Sequence, residues 1–420
     1  RNWLDNLKIR LSAGSMGNGN IDPYKYIDYM TLKSSTVVIG NALGTYTVAP
    51  GAIPLSLTWE TSTTYDVGAD LDLFKNRLTM GFDWYRRYTT DMYTVGVSLP
   101  AVYGTAAPKG NNASLKTNGW ELSVGWRDSF RLAGKEFRYG VKAMVWDSRT
   151  WVTKYINPTG NLDDYYEGME LGEIWGYRID GLFASDEEAR NYPVDQTTVN
   201  EIINASAGAE KGLRAGDLKF RDLDDNNVIS IGKNTVDDPG DREIIGNSQP
   251  RYHYGATLAL QWAGIDFSIF FQGIGRQDWY PAANALAFWG PYARPYATYL
   301  PKNFHTQIWS EENPNSYFPR PRGYTALKGT NRELTAVNDR YLQNIGYCRL
   351  KNLTVGYTLP RQWTRKALIE SLRIYFTGEN LFTWSGIRSD YIDPEMAATN
   401  GNLRLYPWQR TYMFGVDVTF

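Results

Sequence analysis

The sequence predicts an all-β protein, a transmembrane antiparallel β-barrel with short periplasmic turns and long extracellular loops. Three observations support this fold class: apolar and polar residues alternate in ten segments, the connections between these segments alternate in length, and aromatic residues make up 15% of the 420 residues. Alternation with a period of two places the apolar side chains of a strand on one face. About ten residues suffice for a tilted strand to cross the hydrocarbon core of a membrane.

The alternating segments succeed one another as hairpins. In chain order they are 7–13, 65–73, 78–85, 120–127, 137–145, 252–262, 265–271, 353–359, 372–376 and 412–420. In 65–73, for example, every odd-numbered residue is apolar, whereas Asp66, Asp70 and Asp72 lie on the opposite face. The Ala263-Gly264 pair fits a two-residue hairpin turn, because glycine tolerates a positive φ.

The connections alternate between short and long. The short ones are 74–77, 128–135, 263–264 and about 360–370, and the long ones are 17–62, 89–113, 148–250, 274–342 and 381–408. Short turns on one side and long loops on the other are typical of bacterial outer-membrane barrels. Connections this long are uncommon inside a compact soluble domain. A soluble β-sandwich or propeller would nevertheless produce the same alternation within each strand.

The two faces of the predicted strands differ in chemistry. Aromatic residues stand at strand ends on the apolar faces, as membrane-interface girdles require: Tyr65, Trp84, Trp120, Trp126, Tyr252, Trp262 and Tyr412. The opposite faces carry both charge signs and would line a lumen: Lys8, Arg10, Asp66, Asp70, Asp72, Asp83, Glu121, Arg127, Arg138, Lys142, Arg373, Glu379 and Asp417. An open sheet edge in lipid leaves backbone groups unpaired, so ten strands need further strands to close the barrel.

Composition argues against several other classes. The 44 basic and 45 acidic residues nearly cancel, which gives no indication of a nucleic-acid partner. Cys348 is the only cysteine, and His253 and His305 are the only histidines, so neither a disulfide framework nor histidine chemistry is indicated. No nucleophile elbow, P-loop or HExxH motif occurs, and we predict no enzymatic activity. The opening residues lack an initiator methionine and a secretion signal, which suggests the C-terminal part of a longer protein.

A candidate metal loop occurs in one long connection. In "DLDDNNVIS", Asp222, Asp224 and Asn226 occupy positions 1, 3 and 5 of a calcium-loop spacing, followed by the Val228 carbonyl and Ser230. Lys233 stands where such a loop carries a bidentate glutamate, and the missing carboxylate could come from Asp237, Asp238 or Asp241. The segment therefore predicts either a Ca²⁺ or Mg²⁺ site, or an Asx-turn-rich loop that binds its own backbone.

A candidate substrate site lies in the connection 274–342. Its aromatic side chains could stack on sugar rings beside polar Gln277 and Asp278, and the candidate residues are Trp279, Tyr280, Trp289, Tyr292, Arg294 and Tyr296, accompanied by Phe288 and Tyr299. The alternative is that these rings pack the loop onto the barrel rim or against a partner protein. The substrate itself cannot be read from such residues, because stacking tolerates many rings.

Several stretches resemble the SusC-like TonB-dependent outer-membrane transporters of Bacteroidetes, and together they cover essentially the whole chain. They are "LDNLKIRLSAGSMGNGNIDPY", "LTWETSTTYDVGADLDLFKNRLTMGFDWY", "GDLKFRDLDDNNVISI", "DREIIGNSQPRYHYGATLALQWAGIDFSIFFQGIG", "RYLQNIGYCRLKNLTVGYTLP" and "LRIYFTGENLFTW". The terminal aromatic Phe420 also fits, since it resembles the signal read by the barrel-assembly machinery.

The resemblance implies a 22-stranded barrel of which residues 1–420 form roughly the C-terminal half, without the N-terminal plug and first strands. It further implies a bacterial outer-membrane location in contact with lipid, a SusD-like lipoprotein cap, dimers of transporter–lipoprotein pairs, and coupling to the TonB complex. The expected function is import of oligosaccharides or peptides. The alternatives are a passive porin and a soluble carbohydrate-binding β-protein rich in aromatics.

Overall fold

The structure is a computed structural model. It describes residues 3–19, 27, 30–48, 50, 57–96, 100, 102, 104, 107–200, 212–293, 302–322, 326–327, 332–399 and 406–420. The strands are β1 (Leu4–Asn18), β2 (Thr31–Ile39), β3 (Ala42–Val48), β4 (Glu60–Leu73), β5 (Leu78–Val95), β6 (Lys109–Leu132), β7 (Lys135–Lys154), β8 (Glu173–Gly176), β9 (Ile179–Leu182), β10 (Leu218–Phe220), β11 (Glu243–Asn247), β12 (Arg251–Trp262), β13 (Ile265–Arg276), β14 (Asp278–Trp279), β15 (Gln343–Asn344), β16 (Tyr347–Thr358), β17 (Ser371–Ser385) and β18 (Thr411–Thr419).

The helical segments are short. They are α1 (Asp186–Asn191), α2 (Leu286–Trp289), α3 (Arg361–Thr364) and the 3₁₀ turns Gly290–Tyr292, Phe304–Gln307 and Arg365–Ala367. The Ser185 side chain caps α1 by accepting the Glu188 N–H at 3.1 Å. Among the described residues, no helix reaches the length and apolarity that crossing a membrane would require.

Ten strands form one antiparallel sheet that follows the chain. Their order is β1-β4-β5-β6-β7-β12-β13-β16-β17-β18, so each predicted alternating segment falls on a different strand of the sheet and the prediction of ten consecutive strands is confirmed. At the β12–β13 turn, Ala263 and Gly264 have φ of 54° and 91°. Two successive positive φ values match the right-handed twist of the flanking strands, as in a type I′ hairpin.

The predicted connections are too long at both ends of the sheet. β6 and β7 continue to a two-residue turn at Ala133 and Gly134, so the predicted connection 128–135 is wrong. At the other end, β5 runs to Val95, β7 to Lys154 and β17 to Ser385, inside the segments predicted as loops. These extensions, such as "YTTDMYTV" at the end of β5, carry polar residues on both faces. They therefore lack the apolar contrast from which a strand is recognised.

The register of the sheet separates the two faces. One lateral row of paired residues is apolar and comprises Leu7, Leu71, Met80, Val124, Ala143, Ala256, Phe271, Leu350 and Phe382. A row on the opposite face comprises Asn6, Asp72, Thr79, Gly125, Lys142, Thr257, Phe270, Asn352 and Glu379. The charged residues predicted to line a lumen all share this second face.

The apolar face of the sheet has no cover among the described residues. Leu11 is 75% exposed and Phe414 is 83% exposed, and the pattern continues along the strands. In a soluble sandwich such faces would pack against each other in a core. A contiguous apolar surface of this extent, with polar residues on the reverse side, suits contact with lipid. The fold is thus that of an outer-membrane β-barrel wall and not a soluble sandwich.

The buried core lies in the long connections instead of the sheet. We define the loop body as residues 155–200, 212–250, 277–293, 302–322, 326–327, 332–346 and 386–399. Its cluster of buried apolar residues includes Phe220, Trp289, Phe318 and Ile392, which come from distant parts of the chain. The β8–β11, β9–β10 and β14–β15 pairs add backbone hydrogen bonds within it. The long connections therefore form a packed unit at one end of the sheet.

Candidate functional site

The polar face of the sheet carries ion pairs across strands. Arg10 on β1 contacts Asp70 on β4 and donates to Asp83 on β5 at 2.5 Å. Arg373 on β17 donates to Asp266 on β13 at 2.7 Å and to Asp417 on β18 at 3.0 Å. These side chains are partly exposed, so each pair contributes little to stability. They form a partly exposed, charged wall of the kind that lines a barrel lumen.

Two residues of the predicted aromatic substrate site are buried in the loop body. Trp289 is 0% exposed and its indole Nε1–H donates to the Ala282 carbonyl at 3.0 Å. Tyr292 is buried, and its hydroxyl donates to the Pro319 carbonyl at 2.6 Å. With both rings enclosed and their polar atoms engaged, neither presents a face to a ligand. This burial favours the packing alternative for Trp289 and Tyr292.

Of the other predicted residues of that site, two pack within the loop body and two lie outside the described residues. Tyr280 packs against the core and donates through its hydroxyl to the Leu334 carbonyl at 2.9 Å. Trp279 is half-buried, with its ring edge-on to Phe288 at 6.4 Å between centroids. Among the candidates, Arg294 and Tyr296, like the neighbouring Tyr299, lie outside the described residues. Sequence alone could not sort these rings, since the connection has no periodic pattern to indicate which side faces inward.

The candidate metal loop brings together some of its predicted ligands. One carboxylate oxygen from each of Asp222, Asp224 and Asp241 lies within 4.8 Å of the others. Oδ1 of Asp222 is buried and has no hydrogen-bond partner among the described residues. Asn227 has φ of 63°, the left-handed conformation required at the sixth position of such a loop. Asp241 thus occupies the place for which the spacing offered three candidates.

The remaining predicted ligands of the metal loop serve its backbone. The side-chain oxygen of Asn226 accepts the Val228 N–H at 2.7 Å, and the Ser230 hydroxyl accepts the Gly232 N–H at 3.2 Å. These are the Asx- and Ser-type turns of the alternative interpretation. The structure therefore supplies three carboxylates for a cation, while the side chains of Asn226 and Ser230 make turn contacts. Val228 takes part through its N–H, whereas its predicted ligand atom is the carbonyl oxygen.

Charge is concentrated at this loop. Burial raises the pKa of Asp241, although the N–H groups of Leu223 and Ser230 donate to its carboxylate. The neighbouring charges of Asp222 and Asp224 raise this pKa further. A bound cation would remove that repulsion, because it favours the ionised form of all three groups. Occupancy of the loop by Ca²⁺ or Mg²⁺ stays a prediction.

A cavity of about 780 Å³, which we call the β16–β17 cavity, opens on the polar face where β16 and β17 meet the connection after β17. Arg349 and Thr383 are paired in the register and form part of its wall. The buried guanidinium of Arg349 donates to Asp393 at 2.6 Å and to Glu395 at 2.8 Å. No sequence motif indicated this site, because its acidic residues lie more than 40 positions from Arg349.

The end of the chain lies at the edge strand of the sheet. Phe420 follows β18 directly and is 86% exposed. On β18 itself, Phe414, Val416 and Val418 occupy the exposed apolar face. β18 pairs with β17 on one side only among the described residues, so its other edge is available to a further strand.

Comparison with known proteins adds a consistent set of relatives. The chain is 27% identical over 446 residues to TonB-dependent receptor P3 of Formosa agariphila, covering all of the chain and 40% of that receptor. It is 24% identical over 430 residues to TonB-dependent receptor SusC of Bacteroides thetaiotaomicron, covering all of the chain and 38% of SusC. The chain thus spans about two-fifths of the length of the curated relatives it matches. No protein-family model matches it.

Solved structures match the fold in the same way. The RagAB peptide importer in its open-open state superposes with a TM-score of 0.68 at 21% identity, over all of this chain and 41% of that one. The importer in its closed-closed state gives a TM-score of 0.67 at 20% identity. At this identity the likeness concerns the fold: the ten-stranded sheet and its loops.

Proposed function

We propose that the chain forms part of the barrel of a SusC-like TonB-dependent receptor of the bacterial outer membrane, and that the complete protein imports oligosaccharides or peptides across that membrane. Import is driven in this proposal by the TonB complex, which would act through parts of the protein beyond these residues. A SusD-like surface lipoprotein would bind over the loop body, and two transporter–lipoprotein pairs would associate. SusC is a TonB-dependent receptor and RagAB is a peptide importer, which supports the TonB coupling and the import. The lipoprotein and the association of pairs rest on the resemblance to SusC-like transporters.

One observation carries the proposal most strongly. A single antiparallel sheet has an exposed apolar face, a charged reverse face, and a packed loop body at one end. Lipid on the apolar face and water on the reverse face satisfy both surfaces at once. The loop body then stands at the extracellular mouth of the lumen, where a nutrient would first be bound.

That RagAB imports peptides is a property of that importer, and the name SusC indicates no ligand for this chain. Between the two substrate classes, the exposed aromatic and neutral polar side chains around the β16–β17 cavity favour oligosaccharides. In this proposal a cation has a structural role, in which it would bind Asp222, Asp224 and Asp241 within the loop body.

Transport assays on the complete gene product test the proposal. Deletion of the gene should abolish uptake of labelled oligosaccharides or peptides, and loss of the TonB complex should have the same effect. Uptake that survives without TonB would instead identify a passive porin. Recovery of the protein in the soluble fraction without detergent would contradict the membrane function altogether and favour a soluble carbohydrate-binding protein.

A further inference from the structure

We propose that the β16–β17 cavity binds uncharged oligosaccharides, with the rings of Trp408 and Tyr391 as the surfaces on which sugar rings stack. The inference deepens the proposed function, because it assigns a substrate class and residues to one place at the mouth of the lumen. These two aromatics are distinct from the predicted site residues Trp289 and Tyr292, whose rings are enclosed.

The first stacking surface is a ring supported from one side. Trp408 lines the cavity and is 50% exposed. The Lys351 ammonium lies over its ring, 4.8 Å from the centroid, and is itself held by Glu395 at 3.0 Å. The cation–π contact holds one face of the indole, so the remaining exposed surface is available to a ligand. Aromatic faces of this kind pack well against the C–H groups of a sugar ring.

The second stacking surface is the ring of Tyr391, which follows a turn held by hydrogen bonds of Ser389. Tyr391 is 51% exposed and lines the cavity as well as a smaller one of about 190 Å³. The Ser389 hydroxyl accepts the Tyr391 N–H at 3.3 Å and donates to the Ala287 carbonyl at 3.2 Å. The turn is thereby attached to α2 of the loop body. Tyr391 can bind a ligand without ordering its own backbone first.

A distorted strand connects the two sides of the cavity. The register of β17 against β16 shifts between the pairs Asn352–Glu379 and Leu350–Phe382, which leaves two residues of β17 opposite one of β16. Asn380 in this bulge has φ of 52°, and its side-chain Nδ2 donates to the Gln409 carbonyl at 3.2 Å. Bulges re-aim side chains beside functional sites, and a left-handed residue other than glycine within a strand is strained. Here the bulge holds the segment that carries Trp408.

The charges around the cavity largely cancel. Arg349 and Lys351 are both paired with acidic residues of the connection after β17. The exposed charged side chains on its lining, Asp390 and Arg410, have opposite signs. An anionic ligand would need an excess of basic groups, which this lining does not offer. Hydroxyls and amides such as those of Asn380 and Ser385 instead suit the many neutral hydroxyls of a sugar.

Binding to the complete transporter in detergent tests the proposal. Maltohexaose, cellohexaose and mannohexaose serve as uncharged probes, a sulfated hexasaccharide as an anionic probe, and an uncharged hexapeptide as a peptide probe, each followed by calorimetry. We expect one or more uncharged sugars to bind, and Trp408→Ala to weaken that binding roughly tenfold. Tyr391→Ala should act in the same direction, and Trp408→Phe should restore most of the affinity.

Trp363→Ala is the matched control, since Trp363 is exposed on α3 at the opposite end of the sheet. Unchanged sugar affinity in both cavity variants would overturn the proposal, as would binding of only the anionic or peptide probe or of no probe. In cells, TonB-dependent uptake that is insensitive to both variants would refute the cavity assignment while leaving import intact. Absence of any TonB-dependent uptake would refute the proposed function itself.

Discussion

The buried guanidinium of Arg349 on β16 donates to the Asp393 carboxylate at 2.6 Å, which joins the barrel wall to the connection after β17. Arg349 is 1% exposed, and it also donates to Thr383 on β17 at 2.9 Å. One side chain therefore holds two strands and the loop body in a fixed arrangement. A cavity wall built in this way depends on the charge pair remaining intact.

Replacing Arg349 should loosen the connection that follows β17. In Arg349→Leu, Asp393 loses its guanidinium partner and Glu395 is left with Lys351. We expect this to destabilise the segment 386–399 by about 2–3 kcal/mol, at the low end for a broken buried pair, because both acids are partly exposed. Amide hydrogen exchange of the complete protein in detergent should show faster exchange there. Arg138→Leu, which removes an exposed pair with Glu136, is the control and should change exchange little.

Glu333 should make the stability of the loop body depend on pH. Burial, together with the nearby Asp217 carboxylate, raises the pKa of Glu333 to about 8 in the folded protein, above its ordinary value of 4.5. The folded state therefore retains a proton that the unfolded state loses. Stability falls as the pH rises from the ordinary pKa of 4.5 through the folded-state pKa of about 8. Thermal unfolding should show a Tm lower by a few degrees at about pH 9 than at about pH 6.

Glu333→Gln isolates that effect. The amide carbonyl can still accept the Leu218 N–H, which Oε1 of Glu333 accepts at 2.9 Å, but it does not ionise. The variant should lose most of the decline in Tm above neutral pH. An identical decline in both proteins would show that other groups cause the pH dependence.

Calcium should stabilise the loop body if the candidate metal loop holds a cation. A ligand that binds only the folded state raises its stability in proportion to the logarithm of its concentration. We expect Ca²⁺ in excess to raise the Tm of the complete protein, and Asp222→Asn or Asp241→Asn to abolish the increase. Asp237→Asn, in the same connection but outside the three-carboxylate cluster, should retain it. A Tm that is insensitive to Ca²⁺ and Mg²⁺ would leave the loop as a set of Asx turns.

The terminal residue should matter for assembly and not for transport chemistry. Phe420→Asp places a charge at the end of the apolar face of β18, and we expect less assembled barrel in the outer membrane. Phe420→Tyr keeps the aromatic ring and should assemble normally. Immunoblots of heat-modified and unmodified protein in membrane fractions measure the outcome, and wild-type levels of the aspartate variant would contradict this role.

The strands could be predicted because their two faces contact different solvents and therefore differ in polarity. Where Val141 faces lipid and Lys142 faces water, each strand carries a contrast of period two that is visible in a single sequence. The same contrast is absent from the strand ends near Val95 and Lys154, which carry polar residues on both faces, and there the predicted bounds were too short. The predictable part of the fold is therefore the part in which the two faces of each strand differ in polarity.

The loop body was not predictable in the same way. Trp289 is enclosed partly by Phe318, and Arg349 is paired with Asp393, so these environments depend on contacts between residues far apart in sequence. Local spacing did indicate that Asp222 and Asp224 lie together, because both belong to one tight turn. The third carboxylate and the β16–β17 cavity arise only once the connections have folded onto one another.

The two faces of the sheet are expected to contact different solvents, and site-directed spin labelling along β17 measures this directly. In the complete protein in native outer membranes, with Cys348 replaced by serine, single cysteines at Arg373, Ile374, Tyr375, Phe376 and Thr377 would carry the label. We expect oxygen, which partitions into lipid, to relax the labels at Ile374 and Phe376, and a water-soluble nickel reagent to relax the other three. Equal accessibility of all five positions to the water-soluble reagent, without a period of two, would contradict a membrane-spanning wall.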